Sequence, residues 1–315
     1  VNMGSCARMA PPQGNNDAGR GRGIRRRSLF AGAASLGALG ALGAAGCSRA
    51  PTEGKVEGGD LLDRLRDKGS ARIGIASEPP FGYVNRDGEA TGEAPEIAKV
   101  VFKRLGIDEI KAIPVEFGAL IPGLKAQQFD VVSAGMYINA TRCAQVLFSD
   151  PEYLMLDSFI VKKGNPHGIK TYKDIVDNNL KLATGKAYAE IEYALAAGYP
   201  ESKLMILPDQ VAGLDAVAQG RAHAFAGTNV TVKTVVKDSA RVEATKAFQP
   251  IVDGEPAYGA GGFAFRTSEK TFRDAFNKEI HKLKANNYEE LLEIVSPFGF
   301  GMREMTDLTA KELCG

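Results

Sequence analysis

The sequence predicts an α/β protein of two lobes, each on a mostly parallel sheet, with a cleft and a hinge between them. Strand-like and amphipathic helical segments alternate, and parallel strands need such helical crossovers. The alternation runs twice, once from about residue 71 and again from about residue 180. One unit also recurs. "IPGLKAQQFDVVSAGM" (121–136) and "VAGLDAVAQGRAHAFAGT" (211–228) both pass through Gly-Leu, a short helix and a polar turn into a strand ending in Ala-Gly.

The elements follow in order. Asp60 is placed to cap a short helix through Leu65. "ARIGIA" (71–76) is the first strand, stopped by the two prolines of "SEPPFGY", and "NRDGEATG" (85–92) is a turn. "APEIAKVVFKRLG" carries apolar residues at 97, 98, 101, 102 and 105, a helical stripe closed by Gly106. "IKAIPVEF" (110–117) reads as the second strand, "GALIPGLKAQQ" (118–128) as a helix and "FDVVSAGMY" (129–137) as the third strand. The second series is a strand and helix in 180–200, a strand in 202–208, and a helix, turn and strand in 210–229. The turn-rich segments 161–175 and 248–265 are candidate crossings between lobes, and helices in 268–286 and 287–300 should pack on the first lobe. The division expected is 60–162 with 254–315 for lobe 1, and 163–253 for lobe 2.

Residues 1–46 have the order of an export signal: arginines up to Arg27, an apolar stretch from Leu29 to Ala45, then Cys47. Arg26-Arg27-Ser28-Leu29-Phe30 resembles a twin-arginine signal, and "AAGC" resembles a lipoprotein box with Cys47 as the lipidated first mature residue. Residues 47–59, with "PTEGKVEGG", form a tether. Removing 1–46 takes six of the 39 basic and one of the 38 acidic residues, leaving a net charge near −4. No basic block survives to favour nucleic acid. Beyond Cys47 only Cys143 and Cys314 remain, which permits one disulfide or leaves two free thiols. His167, His223 and His281 are scattered without a second ligand, so neither a metal nor a cofactor is expected.

Loops after adjacent parallel strands converge on one edge of a sheet. Glu78 and Phe81 follow the first strand, Phe117 ends the second, and Tyr137 ends the third with Arg142 beyond it. A guanidinium grips a carboxylate bidentately, and aromatic faces attract a cation by roughly 0.5–2 kcal/mol each. A carboxylate at Glu78 accepts N–H bonds from the same ligand. Together these residues describe a site for a small zwitterion.

The stretch "FGALIPGLKAQQFDVVSAGMYINATRCAQVLFSDPEY" (117–153) resembles the family-3 extracellular solute-binding proteins of polar amino-acid ABC importers. The likeness of layout runs from about Leu61 to the end. "SEPPFGYVNRDGEATGEAPEIAKVVFKRLG", "TRCA", "KKGNP" and the terminal "KELC" are similar to the ectoine/hydroxyectoine-binding branch. The resemblance implies a type II periplasmic-binding-protein fold, hinge closure, a monomer, and delivery of a small zwitterionic ligand to an ABC permease. It implies a ligand set of Glu78, Phe81, Phe117, Tyr137 and Arg142; Asn139 and Thr228 are further candidate ligand contacts of this chain. In that branch a threonine stands in the second lobe's first loop. This chain places Ala189 there, with Thr184 or Tyr188 as substitutes, and Lys186 in the same loop is expected to face solvent. α-Amino-acid binders usually place an aspartate in the last loop of the second lobe, where this chain has Thr228 and Asn229. Polar amino acids and betaines are the alternative ligands. A rival class is an enzyme like the cyclohexadienyl dehydratases, with Glu78 as its acid.

Overall fold

The computed structural model describes residues 60–315. The expected export signal, the lipidation site Cys47 and the tether lie outside the described residues. Helix α1 (Leu61–Lys68) has Asp60 at its N-cap, where only the Asp60 carbonyl serves, accepting from the Asp63 and Arg64 N–H groups. Strand β1 (Ser70–Ile75) follows, then a small hairpin of β2 (Tyr83–Val84) and β3 (Ala90–Thr91), and helix α2 (Glu93–Arg104). Strand β4 (Glu109–Pro114) leads to α3 (Leu120–Lys125), β5 (Val131–Tyr137) and the single turn α4 (Ala140–Cys143). The strand expected to reach Phe117 ends at Pro114, which has no N–H for the ladder, and Phe117 opens a 3-10 turn, Phe117–Ala119.

Three strands follow that the sequence reading did not assign: β6 (Leu147–Phe148), β7 (Tyr153–Met155) and β8 (Asp157–Lys162). Then come α5 (Tyr172–Asp177), β9 (Leu182–Gly185), α6 (Glu190–Ala196), β10 (Met205–Leu207), α7 (Gln210–Ala218), β11 (Ala224–Thr228), α8 (Asn229–Val236) and β12 (Val242–Ala244). A hairpin of β13 (Ile251–Val252) and β14 (Glu255–Pro256) precedes β15 (Gly259–Phe265). Helix α9 (Lys270–Val295) is broken at Ala285–Tyr288, where the backbone leaves helical geometry, so it amounts to the two helices expected there. A short α10 (Ala310–Cys314) ends the chain.

The first sheet has the order β4-β1-β5-β15-β6, with β7 also on β15; the second has the order β10-β9-β11-β8-β12. Both are mixed rather than mostly parallel. β4, β1 and β5 are parallel, whereas β15 runs antiparallel to β5, β6 and β7. β10, β9 and β11 are parallel, and β8 runs antiparallel to both β11 and β12. Because β8 pairs with β11, Asp157–Lys162 belongs to the second sheet and not to the first lobe as expected. The first crossing therefore falls at Leu156. The Gly164-Asn165-Pro166 turn merely leads from β8 towards α5. The second crossing lies between β12 and β15.

β15 lies in a segment read only as a crossing, because its sequence "GAGGFAF" looks like a loop. Its glycines are needed for close approach: a Cβ on Gly261 would stand 2.2 Å from the Tyr153 ring, and one on Gly259 would stand 2.7 Å from the Tyr137 ring. The recurring unit is real in three dimensions. In α3 a Cβ on Gly123 would meet the Phe129 ring at 2.8 Å, and in α7 a Cβ on Gly213 would meet the Phe225 ring at 2.3 Å. Each glycine thus lets an aromatic seat against the helix, Phe129 just ahead of β5 and Phe225 within β11.

Both sheets are covered on two faces. On the first, α2 and α9 bury Phe102, Phe272 and Phe276 against Phe263 and Phe265, while α3 packs Leu120 and Leu124 over Val132 and Met136. On the second, α7 and α8 cover Ile160 and Phe225, and α5 and α6 cover Phe159 and Ala226. β5 alternates accordingly, sending Val132, Ala134 and Met136 to one core and leaving Ser133, Gly135 and Tyr137 on the other side. Cys143 and Cys314 are bonded, with a Cα–Cα distance of 5.7 Å, so the disulfide fastens α10 to α4.

Candidate functional site

Six parallel strands deliver their carboxyl ends to one region. From the first sheet, β1 is followed by Glu78 and Phe81, β4 by Phe117, and β5 ends at Tyr137 with Arg142 just beyond. From the second, β9 is followed by Tyr188, Ala189 and Glu190, β10 by Asp209 and Gln210, and β11 ends at Thr228. A cavity of about 30 Å³ lies among them, lined by Glu78, Phe81, Phe117, Tyr137 and Arg142 on one side and by Tyr188, Ala189, Glu190 and Thr228 on the other. Gly135 completes the wall. It takes φ +60°, and a Cβ there would stand 2.3 Å from the Phe81 ring, so glycine is what allows Phe81 its position.

Local structure fixes each side chain. The loop after β1 is tied by the Glu78 N–H donating to the Gly82 carbonyl at 3.0 Å, and the Ala94 N–H at the start of α2 donates to the Phe81 carbonyl at 3.0 Å. The Phe81 ring stacks on Tyr153 with centroids 5.3 Å apart, and the Tyr153 hydroxyl donates to the Gly135 carbonyl at 2.8 Å. Arg142 is buried in α4. Its Nη1 donates to the Tyr137 carbonyl at 2.6 Å and its Nη2 to the Ala187 carbonyl at 2.9 Å, across to the second sheet's loop. The guanidinium carbon sits 5.3 Å from the Phe117 ring centroid, within cation–π range. The Tyr137 hydroxyl donates to Thr228 Oγ1 at 2.8 Å, a second bond between the two sheets.

Two residues proposed from the sequence stand elsewhere. The Asn139 side chain is the N-cap of α4 and accepts from the Arg142 backbone N–H at 2.9 Å, so it shapes the turn and lines adjoining grooves rather than the cavity itself. The Thr184 hydroxyl is buried within the second sheet and donates to the Ala226 carbonyl of β11 at 3.1 Å. Its hydrogen bond is already spent. Lys186 is exposed, as expected. Sequence reasoning missed Gly135, Gln210 and Glu190. An acid in the first turn of a helix ordinarily reads as a solvated partner of the macrodipole. Only the strand before it showed that this helix start would face inward.

The site is acidic and its charged side chains are buried. Burial, with Glu190 and Asp209 nearby, pushes the Glu78 carboxyl up to about 8 against the opposing pull of Arg142. Burial raises Glu190 to about 7. Burial lowers Arg142 from its ordinary value, and Glu190 counters that. At the start of α2, burial brings Glu93 to about 8, and neither of its carboxylate oxygens has a hydrogen-bond partner. At Glu78, Glu190 and Glu93 the folded chain holds the proton more tightly than the unfolded chain, whose glutamates titrate near 4.3. The stability tied to those protons is complete below that value and is lost as pH rises through 7 to 8. The melting temperature is therefore expected to fall between pH 5 and pH 8 by at least about 3 °C. Glu93→Gln should flatten part of that slope and raise the midpoint at pH 8; a midpoint constant or rising from pH 5 to 8 contradicts it.

No group of three or more His, Cys, Asp or Glu suited to a metal occurs among the described residues. No helix among them is long and apolar enough to cross a membrane.

Comparison with known proteins places this arrangement in context. The profile of the bacterial extracellular solute-binding proteins, family 3, matches residues 71–294. A probable amino-acid ABC transporter periplasmic-binding protein, y4tE of Sinorhizobium fredii, is 31% identical over 266 residues, 82% of this chain and 88% of that one. The crystal structure of EhuB in complex with hydroxyectoine superposes with a TM-score of 0.73 at 36% identity, over 81% of this chain and 97% of that chain. An ancestral amino acid-binding protein, AncCDT-1, described as a precursor of cyclohexadienyl dehydratase, gives 0.62 at 25% identity, over 74% of this chain and 98% of that one.

Proposed function

Because the chain belongs to the bacterial extracellular solute-binding proteins, family 3, we propose that it captures a small zwitterion of the ectoine and hydroxyectoine class and presents it to an ABC permease. One observation carries this reading: a buried guanidinium, three rings and a buried carboxyl line one cavity between two sheets. Arg142 holds the ligand's carboxylate with the donors it does not spend on Tyr137 and Ala187. Phe81, Phe117 and Tyr137 box a planar cation, and Glu78 takes its N–H bonds. Thr228 closes the site from the second sheet. The ligand docks on the first sheet's loops and the second sheet's loops fold over it, a hinge motion about the two crossings. Lipidation at Cys47 would keep the protein near the permease and raise its effective concentration there. The protein acts as a monomer. The hydroxyectoine-bound EhuB supports the ligand class, and the amino-acid assignment of y4tE supports polar amino acids as the second choice.

Calorimetric titration with ectoine, hydroxyectoine, glycine betaine, arginine and glutamine tests the proposal. One-to-one binding of ectoine or hydroxyectoine at or below about 10 μM is expected. Absence of heat with every compound sinks it, and tight binding of arginine or glutamine alone moves the ligand to the amino-acid class.

Behind both ligand classes stands an enzymatic reading, in which Glu78, buried against the cavity, is the acid that expels water from a ring. Incubation with prephenate or arogenate decides it: an aromatic product would establish the enzyme.

A further inference from the structure

Tyr188 reaches from the loop after β9 onto Glu78 and lines the cavity. Its ring packs edge-on against Phe117, with centroids 5.3 Å apart at 77°, and lies over Gly185, where a Cβ would stand 2.5 Å from it. Its hydroxyl is in hydrogen-bond contact with Glu78 Oε1 and lies 3.0 Å from Gln210 Oε1. The cavity left beside it, about 30 Å³, has room for roughly one water, whereas a benzene-sized ring needs about 150 Å³. A groove of about 760 Å³ adjoins, and Arg142, Tyr188 and Ala189 line both spaces, so Tyr188 stands between groove and cavity. The turn that carries it holds Ala187 at φ +63°, a conformation that a non-glycine residue rarely adopts.

We propose that Tyr188 is an internal competitor in this site, whose hydroxyl a ligand must displace from Glu78. A hydroxyl has one proton to give, and here it faces two oxygen acceptors. The phenol donates to Gln210, and Glu78, in its neutral form, donates to the phenol. A ligand that offers only neutral hydroxyls exchanges one such bond for another and gains little. A ligand with a cationic N–H forms a charge-assisted bond, about twice as strong, to an ionised Glu78. The Glu78 proton then leaves to solvent as the cation arrives. The charged groups facing Glu78 agree with this order: Glu190 from α6 and Asp209 ahead of α7 oppose its ionisation, Arg142 from α4 favours it, and a second cation from the ligand tips the balance. Displacing Tyr188 costs every ligand alike, so only one with a charge-assisted bond to offer Glu78, an amidinium or ammonium zwitterion, binds tightly.

This inference rests on the zwitterion-binding reading, and its test separates the two. Wild type and Tyr188→Phe, which keeps the ring and removes the hydroxyl, are titrated with ectoine, hydroxyectoine, glycine betaine, arginine and glutamine. The compound that wild type binds should bind the variant roughly three- to tenfold more tightly, the worth of one net hydrogen bond. Binding unchanged or weakened in the variant overturns the competitor and leaves the zwitterion site standing. No binding by either protein overturns both. A second measurement needs no variant: titrating wild type at pH 7 in phosphate and in Tris, whose ionisation heats differ, counts protons. Release of about one proton per ligand is expected, and a count of zero overturns the neutral Glu78.

Discussion

Arg142→Ala is expected to lower affinity for the zwitterion by about 2–5 kcal/mol, between roughly thirtyfold and several thousandfold. The guanidinium is buried, and the carboxylate it would leave behind has no other cation among the residues lining the cavity. The loss exceeds that of a surface ion pair because the ligand's charge stays desolvated without its partner. Arg142→Lys separates charge from geometry. It keeps one positive charge but lacks the planar fork that serves a carboxylate while also holding the Tyr137 and Ala187 carbonyls, so it should recover only part of the affinity. Titration of the three proteins side by side, with melting temperatures to confirm folding, reads the result. Unchanged affinity in the alanine variant removes Arg142 from the site.

The second large effect is on stability. The Cys143–Cys314 disulfide spans 171 residues of sequence and ties the C-terminal turn to the turn that carries Arg142. Closing so long a loop restricts the unfolded chain, and native disulfides removed from folded domains typically cost about 2–5 kcal/mol. Denaturant unfolding of a Cys143→Ser, Cys314→Ser double variant should show a loss of that size. Part of the tail should hold even so, because the Ala310 N–H still donates to Asp150 at 2.8 Å and Asp150 is also bonded to Asn277 and His281. Affinity should fall less than in Arg142→Ala. A loss of stability below about 1 kcal/mol would show that the packing of α10 on its own fixes the tail.

What the sequence made legible follows a physical boundary. Glu78, Phe81, Tyr137 and Arg142 were accessible because parallel strands send their carboxyl ends to one edge, and Phe117 was accessible although its strand stops earlier, at Pro114, because the turn that follows stays at that edge. The recurring Gly-Leu unit was accessible for a related reason, since a small residue facing a large one leaves a local pattern in both copies. β15 was not, because its glycines answer to Tyr137 and Tyr153, partners far away in sequence. The same blindness placed β8 with the wrong sheet: only its pairing with β11 and β12 decides where it belongs. Thr184 and Asn139 are polar residues at plausible positions whose hydrogen-bonding capacity is consumed nearby, by Ala226 and by the Arg142 backbone. Composition cannot reveal a satisfied donor. Glu190 shows the converse, an acid of ordinary helix-start appearance that becomes buried only when two sheets meet.

A crystal structure grown with ectoine locates the bound zwitterion. The ligand's carboxylate is expected about 2.8 Å from Arg142 nitrogens, its ring among Phe81, Phe117 and Tyr137, its N–H groups on Glu78, and the Tyr188 hydroxyl withdrawn from that carboxyl. Density for the ligand outside this cavity, or a carboxylate turned away from Arg142 with Tyr188 still on Glu78, would contradict that placement.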